Sequence, residues 1–160
     1  MFKKLFSKKD KGLSVKAPAA GKIMQLSEVP DEVFSAGIMG NGMAVELAED
    51  KICAPCDGTV ALVAETKHAV ALNLADGTEL LIHVGIDTVM LQGEGFNPLV
   101  KAGDAVKTGD PLLEVDRAFI QSKGISLATP VIVCNSSEHP IKSTTDAKDA
   151  IGGETELFVL

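Results

Sequence analysis

The run "HAVALNLADGTELLIHVG", residues 68–85, reads as two apolar strands meeting across a turn. Asp76-Gly77 is a strong signal for a two-residue hairpin loop, because that turn needs residues that tolerate positive φ. With Asp76 and Gly77 as the loop, Ala75 faces Thr78, Leu72 faces Leu81 and Val70 faces His83. His68, two residues from Val70, then shares a sheet face with His83 as its diagonal neighbour. Diagonal neighbours lie about 7–8 Å apart between Cα atoms, a gap that two imidazole rings can close by leaning together. A three-residue loop would slip the pairing by one and send the rings to opposite faces. Asp-Gly favours the shorter loop, so the two histidines are expected to meet.

The same pattern continues on both sides of the hairpin. "GKIMQL", "NGMAVEL", "GTVALV", "DPLLEVD", "TPVIVC" and "TELFVL" are short apolar runs separated by Gly, Pro, Asp and Asn. Many short strands at this spacing predict an all-β protein, an antiparallel sandwich or barrel. "APAAGKIMQL" (17–26) and "APCDGTVALV" (54–63) share an Ala-Pro-x-x-Gly turn feeding a strand, which suggests related halves. Helix is expected only in short turns, over "DRAFIQSKG" (116–124) and around 30–38 and 144–150.

A chain of 160 residues, 46% hydrophobic and 23% charged, suits one domain with a real core, placed here over 13–160. No apolar run approaches the roughly 20 residues of a membrane span. "MFKKLF" lacks the apolar stretch and cleavage site of a secretory signal, and the odd number of cysteines suits reduced thiols, so a cytoplasmic location is expected. The net charge of −7 is uneven. Residues 1–12 hold five lysines against Asp10, a net +4, which leaves −11 on the body. Such a body, with Arg117 its only arginine, argues against nucleic acid and for a basic protein partner. In the basic segment Phe2, Leu5 and Phe6 fall at helical spacing, so it reads either as an amphipathic helix on an anionic membrane surface or as a disordered tail.

Three chemistries compete for the histidine pair. Both could be structural, each satisfied by a hydrogen bond. Both could be half of a zinc site, but no HxH, HExxH or paired Cys-His spacing supplies the remaining ligands, so no metal is expected. Or one imidazole attacks a phosphoryl group while the other steadies its oxygens. A nucleophilic ring must be neutral, with its second nitrogen protonated and held. Gly85 lets the chain bend so that a carbonyl can face His83, and Thr66, two residues before His68 and expected on the same strand face, could fix that ring's tautomer.

Beyond these residues, "HVGIDTVMLQGEGF" resembles the signature of the glucose-type enzyme IIA components of the bacterial phosphoenolpyruvate-dependent sugar phosphotransferase system. "APAAGKIMQLSEVPDEVFSAGIMGNGMAV", "ICAPCDGTVALVAETKHAVALNLADGTELLIHVGIDTV", "VKAGDAVKTGDPLLEVD" and "GGETELFVL" follow the family pattern in order, so the likeness covers about residues 15–160. The resemblance implies a β-sandwich with two histidines in a shallow depression. His83 would accept phosphate from the histidine-containing phosphocarrier protein and pass it to a cysteine of a IIB domain in the IIB/IIC sugar permease, with His68 assisting and no cofactor. Thr66, Gly85 and Asp87 match positions around those rings. Val33, Phe34, Ile38, Met39, Val89 and Leu91 look similar to an apolar docking rim, with core packing as their plainer role, and Asp31 and Asp87 would meet basic side chains. Regulated permeases and metabolic enzymes are further partners implied.

The chain departs from the family at Cys56, which makes "CAPC" with Cys53, and at Ala64, where some members carry an aromatic residue. Cys134 is expected in the core and His139 in a polar surface loop. Two other classes share features with the chain. A biotinyl or lipoyl carrier has turns like "VKAGDAVKTGDPLLEV" but needs a lysine at its hairpin tip, and the Asp76-Gly77 hairpin has none. A lysostaphin-like zinc endopeptidase would need the missing HxH.

Overall fold

The computed structural model describes residues 12–160, so the expectations for the basic N-terminal segment lie outside the described residues, Gly12 apart. Among these residues the strands are, in chain order, β1 (Ser14–Lys16), β2 (Gly21–Gln25), β3 (Asn41–Leu47), β4 (Lys51–Cys53), β5 (Gly58–Val63), β6 (Ala69–Asn73) and β7 (Glu79–His83). They continue with β8 (Phe96–Pro98), β9 (Ala105–Val106), β10 (Pro111–Val115), β11 (Ala128–Val133), β12 (Ser143–Thr144), β13 (Asp149–Ala150) and β14 (Glu156–Val159). Every pairing is antiparallel. An eight-stranded sheet has the order β13-β2-β3-β11-β7-β6-β5-β9, and two three-stranded sheets, β1-β14-β12 and β4-β10-β8, complete the all-β architecture.

Alternation along the strands of the wide sheet sorts two cores. Met43, Val45, Leu72, Leu80, Ile82, Val131 and Val133 pack against Ile52, Leu112, Leu113, Val115, Leu157 and Phe158 of the small sheets. At about 1.5–3 kcal/mol for each large apolar side chain removed from water, this layer is the main source of stability. A smaller cluster covers part of the opposite face, where Leu26, Val29 and Phe34 lie over Ala44, Ala128, Ile132 and Leu81. His83 leaves the end of β7 on that outer face, because Leu81 points there and Ile82 points inward.

The two Ala-Pro-x-x-Gly turns clasp each other. Lys16 N donates to Pro55 O (2.8 Å) and Cys53 N donates to Pro18 O (2.7 Å), with each donor immediately before its own Ala-Pro. Gly153 N to Ala17 O (2.9 Å) is matched by Gly109 N to Ala54 O (2.8 Å). Behind the turns, Gly21 of β2 pairs with Ala150 of β13 as Gly58 of β5 pairs with Val106 of β9. The repeat seen in the sequence is therefore a structural one, joining β13-β2-β3-β11 to β9-β5-β6-β7.

Several local expectations need correction. The central hairpin has a three-residue loop: Gly77 N donates to Leu74 O (3.1 Å) and Leu74 N to Thr78 O (2.9 Å), leaving Ala75, Asp76 and Gly77 in the turn. Only Gly77 among these takes positive φ, at 91°, whereas the two-residue turn asks it of both central residues. Asp76 instead accepts from Thr78 N through its side chain (2.9 Å). Opposed partners are consequently Ala69 and His83, Val70 and Ile82, and Leu72 and Leu80, one residue away from the expected register. Helix α1 (Glu32–Ser35) falls in the expected 30–38 turn, and α2 (Arg117–Ser122) within 116–124, capped by Asp116 accepting from Phe119 N (3.1 Å). The stretch 144–150 holds strand ends of β12 and β13 instead of a helical turn. Cys134 is exposed rather than in the core, one residue beyond the end of β11. No helix among the described residues is long and apolar enough to cross a membrane.

Candidate functional site

The slipped register alone would turn His68 and His83 apart, yet their ring centroids are 4.8 Å apart and nearly perpendicular, at 81°. His68 lies just before β6, after Lys67, whose φ of 64° takes the chain out of the pleat. Its ring direction is therefore not set by strand alternation. Val84 N donates to His68 O (2.8 Å) and ties the two segments together, while Ala69, directly opposite His83, is too small to obstruct the space between the rings. The expected meeting occurs for a different reason from the one the turn suggested.

Each ring has one nitrogen held. His83 Nδ1 lies 2.8 Å from Gly85 O. A carbonyl oxygen only accepts, so the proton sits on Nδ1 and the lone pair on Nε2. His68 Nδ1 lies 2.8 Å from Thr66 Oγ1, within the turn 64–68 rather than on a strand face. Gly85 has φ 73°, and a Cβ there would lie 2.6 Å from Thr88 Cγ2 and 2.9 Å from Ser126 O, so the position admits no side chain without a local shift. Burial pushes the pKa of His83 below its ordinary 6.5, and positive charge on His68 would push the same way, against the Gly85 bond and Asp31. Burial likewise lowers His68, against its bond to the Thr66 residue. Both rings are therefore mainly neutral at pH 7.

The surround is mostly apolar. Phe34 stands 4.9 Å from the His83 ring, but it is buried, so it walls the imidazole instead of forming part of an exposed rim. Asp31 caps α1 by accepting from Val33 N (2.8 Å) and thereby aims that wall. Val33, Ile38, Met39 and Val89 are exposed as the rim expectation requires, Ile38 at 72%. Leu91 is half-buried against the main core and presents less of itself. Met90, 77% exposed on the 3₁₀ turn Thr88–Leu91, is a patch residue that sequence reasoning passed over. Apolar residues at 89, 90 and 91 resemble a strand, and only the left-handed conformations of Asp87 and Gln92 on either side reveal a turn that turns Met90 outward. Asp87 is exposed, at the start of that turn.

The other singled-out groups stand elsewhere. Cys53 and Cys56 are buried free thiols whose pKa burial raises, that of Cys53 to about 11, which leaves them protonated and weak as nucleophiles. His139 lies 3.8 Å from Asp76 at the hairpin tip. Among the described residues no group of three or more His, Cys, Asp and Glu could hold a metal ion. Cavities of about 400 Å³ beside Asp57 and Lys107, and about 430 Å³ beside His139 and Leu160, include neither His68 nor His83. A half-buried His83 backed by a buried His68, with an apolar surround, is suited to a group presented by another protein, which is the working arrangement of a carrier.

Comparison with known proteins places the carrier. Residues 13–139 match the family model described as phosphoenolpyruvate-dependent sugar phosphotransferase system, EIIA 1. The chain is 42% identical to the PTS system glucose-specific EIIA component of Oceanobacillus iheyensis, with 99% of this chain and 98% of that one covered. It is 39% identical to the protein of the same name from Staphylococcus epidermidis, covering 99% and 97%. In three dimensions it is similar to glucose permease IIA from Mycoplasma capricolum, with a TM-score of 0.86, 32% identity, and 93% and 96% of the two chains covered. The chain belongs to the EIIA family of the sugar phosphotransferase system, and it serves there as a phosphocarrier component.

Proposed function

We propose that His83 is the phosphoryl acceptor and that His68 steadies the transferred group. The observation that carries this reading is the bond between His83 Nδ1 and the Gly85 carbonyl, which leaves Nε2 with its lone pair. In uptake, Nε2 attacks the phosphorus presented on the histidine of the upstream phosphocarrier protein. The new P–N bond forms as the donor's P–N bond breaks, and the electron pair returns to the donor imidazole. In delivery to a IIB cysteine, a thiolate forms the S–P bond and His83 recovers its lone pair. The proton stays on Nδ1, donated to Gly85 O, throughout, and neither step needs a dissolved cofactor.

His68 fits the assisting role if Thr66 donates to its Nδ1, which leaves Nε2–H free to donate to a phosphoryl oxygen. Such a charge-assisted bond is worth about 1.5–3 kcal/mol. Val33, Ile38, Met39, Val89 and Met90 supply the docking surface, and Leu91 supports it from below. Asp31 and Asp87 offer charge to a basic partner. Docking excludes water from the labile P–N bond, which an enclosed pocket would otherwise have to do. Residues 13–160 act as one carrier unit in the cytoplasm, facing the permease's IIB domain.

The test is incubation with labelled phosphoenolpyruvate and the two upstream proteins, followed by mapping of acid-labile phosphohistidine. Label is expected on His83, and His83→Ala should take up none. Uptake by that variant at the wild-type rate refutes the assignment.

A further inference from the structure

Five consecutive backbone groups around Gly85 each have a partner. Val84 N donates to His68 O (2.8 Å), Val84 O accepts the Thr88 hydroxyl (2.5 Å) and Gly85 N donates to Thr129 Oγ1 (3.4 Å). Gly85 O takes the His83 ring (2.8 Å), and Ile86 N donates to Ser126 O (3.1 Å). Three of the five partners are side chains, the His83 ring and two threonines, and both threonines are fully buried. Thr88 and Thr129 hold opposite ends of a single peptide group, the one joining Val84 to Gly85. The Thr129 hydroxyl also donates to Leu127 O (3.0 Å), which commits its proton and leaves a lone pair for Gly85 N.

The arrangement matters because glycine alone resists rotation of its peptide neighbours poorly. Gly85 O belongs to the next peptide group, whose direction depends both on the Ile86 N–H bond to Ser126 O and on where the preceding group is fixed. A flip of the Gly85–Ile86 group would set the Ile86 N–H toward Nδ1 in place of the carbonyl. That donor favours the ring with its proton on Nε2, the form with no lone pair where phosphorus must be attacked.

We infer that Thr88 and Thr129 are positioning residues that lock the Gly85 turn and so hold His83 in its nucleophilic tautomer. The inference rests on His83 as the phosphoryl acceptor, but its main readout involves no transfer. In the unphosphorylated full-length protein, two-bond proton–nitrogen couplings of the His83 ring report the tautomer directly. Wild type should show the Nδ1–H form. Thr88→Val, which keeps the shape and removes the hydroxyl, should show a mixture, and Thr88→Ser should restore the wild-type pattern. Phosphoryl uptake at saturating donor should fall about tenfold in Thr88→Val and recover in Thr88→Ser, with KM for the donor unchanged. Thr129→Val should act in the same direction, and it carries the test if Thr88→Val fails to fold. A wild-type tautomer in a folded valine variant overturns the inference, as does slow uptake that serine does not restore. Absence of label from His83 in the wild type sinks the acceptor reading instead, whatever tautomer the ring adopts.

Discussion

The segments that carry His68 and His83 differ in how they fix a ring. His83 ends a strand, projects from the outer face by ordinary alternation, and is held by a backbone carbonyl. His68 precedes a strand, follows a left-handed lysine, and is held by a side-chain hydroxyl. A carbonyl permits one tautomer, whereas a hydroxyl can donate or accept and so permits both. The ring proposed to accept the phosphoryl group, which needs a lone pair, therefore has the unambiguous partner. The ring proposed to assist has the adaptable one, which lets it respond as charge arrives and leaves.

The sharpest way to break this comparison is His68→Gln. Glutamine can still donate one hydrogen bond, so uptake should stay within a few-fold of wild type while onward transfer to IIB falls by about 10²–10³-fold. Equal losses in both directions would erase the division of labour. Gly85→Ala strikes the other segment. The methyl would meet Thr88 Cγ2 and Ser126 O in a positive-φ position, so unfolding in denaturant should show a loss of about 2–4 kcal/mol together with slower uptake. Alanine tolerated without loss would show that the turn is not the rigid member of the pair.

The smallest effect is a slope. Both histidines titrate below 6.5 when folded, while in the unfolded chain they take up protons near 6.5. Between those values the unfolded state binds more protons, so stability is full above pH 6.5 and declines as pH falls through the folded pKa values. Replacing either histidine with glutamine should flatten that decline, as measured by thermal unfolding from pH 7.5 to 5. An unchanged slope would mean that burial does not govern these rings.

Much of this was legible in the sequence where short-range chemistry decides. The strand rhythm, the repeated Ala-Pro-x-x-Gly turn, the Gly85 bend and the Thr66–His68 contact were all visible as spacing. The hairpin register was not, because Asp76-Gly77 serves either loop length and the choice falls to whether Asp76 must take positive φ. Between rim and core the sequence leaves Phe34 open, since the cluster that buries it joins β3, β7 and β11, strands distant in sequence. Met90 went unnoticed because apolar residues advertise a core until the backbone turns one outward. The Thr88 and Thr129 bonds to the Gly85 turn likewise join residues that no spacing rule connects.

The wide sheet ends on both sides in strands of two residues, β13 and β9. So brief a margin leaves a stray chain few free amides and carbonyls to copy. With the exposed apolar patch proposed for docking, the carrier can then meet and release its partners through side chains, without its flanks templating a filament.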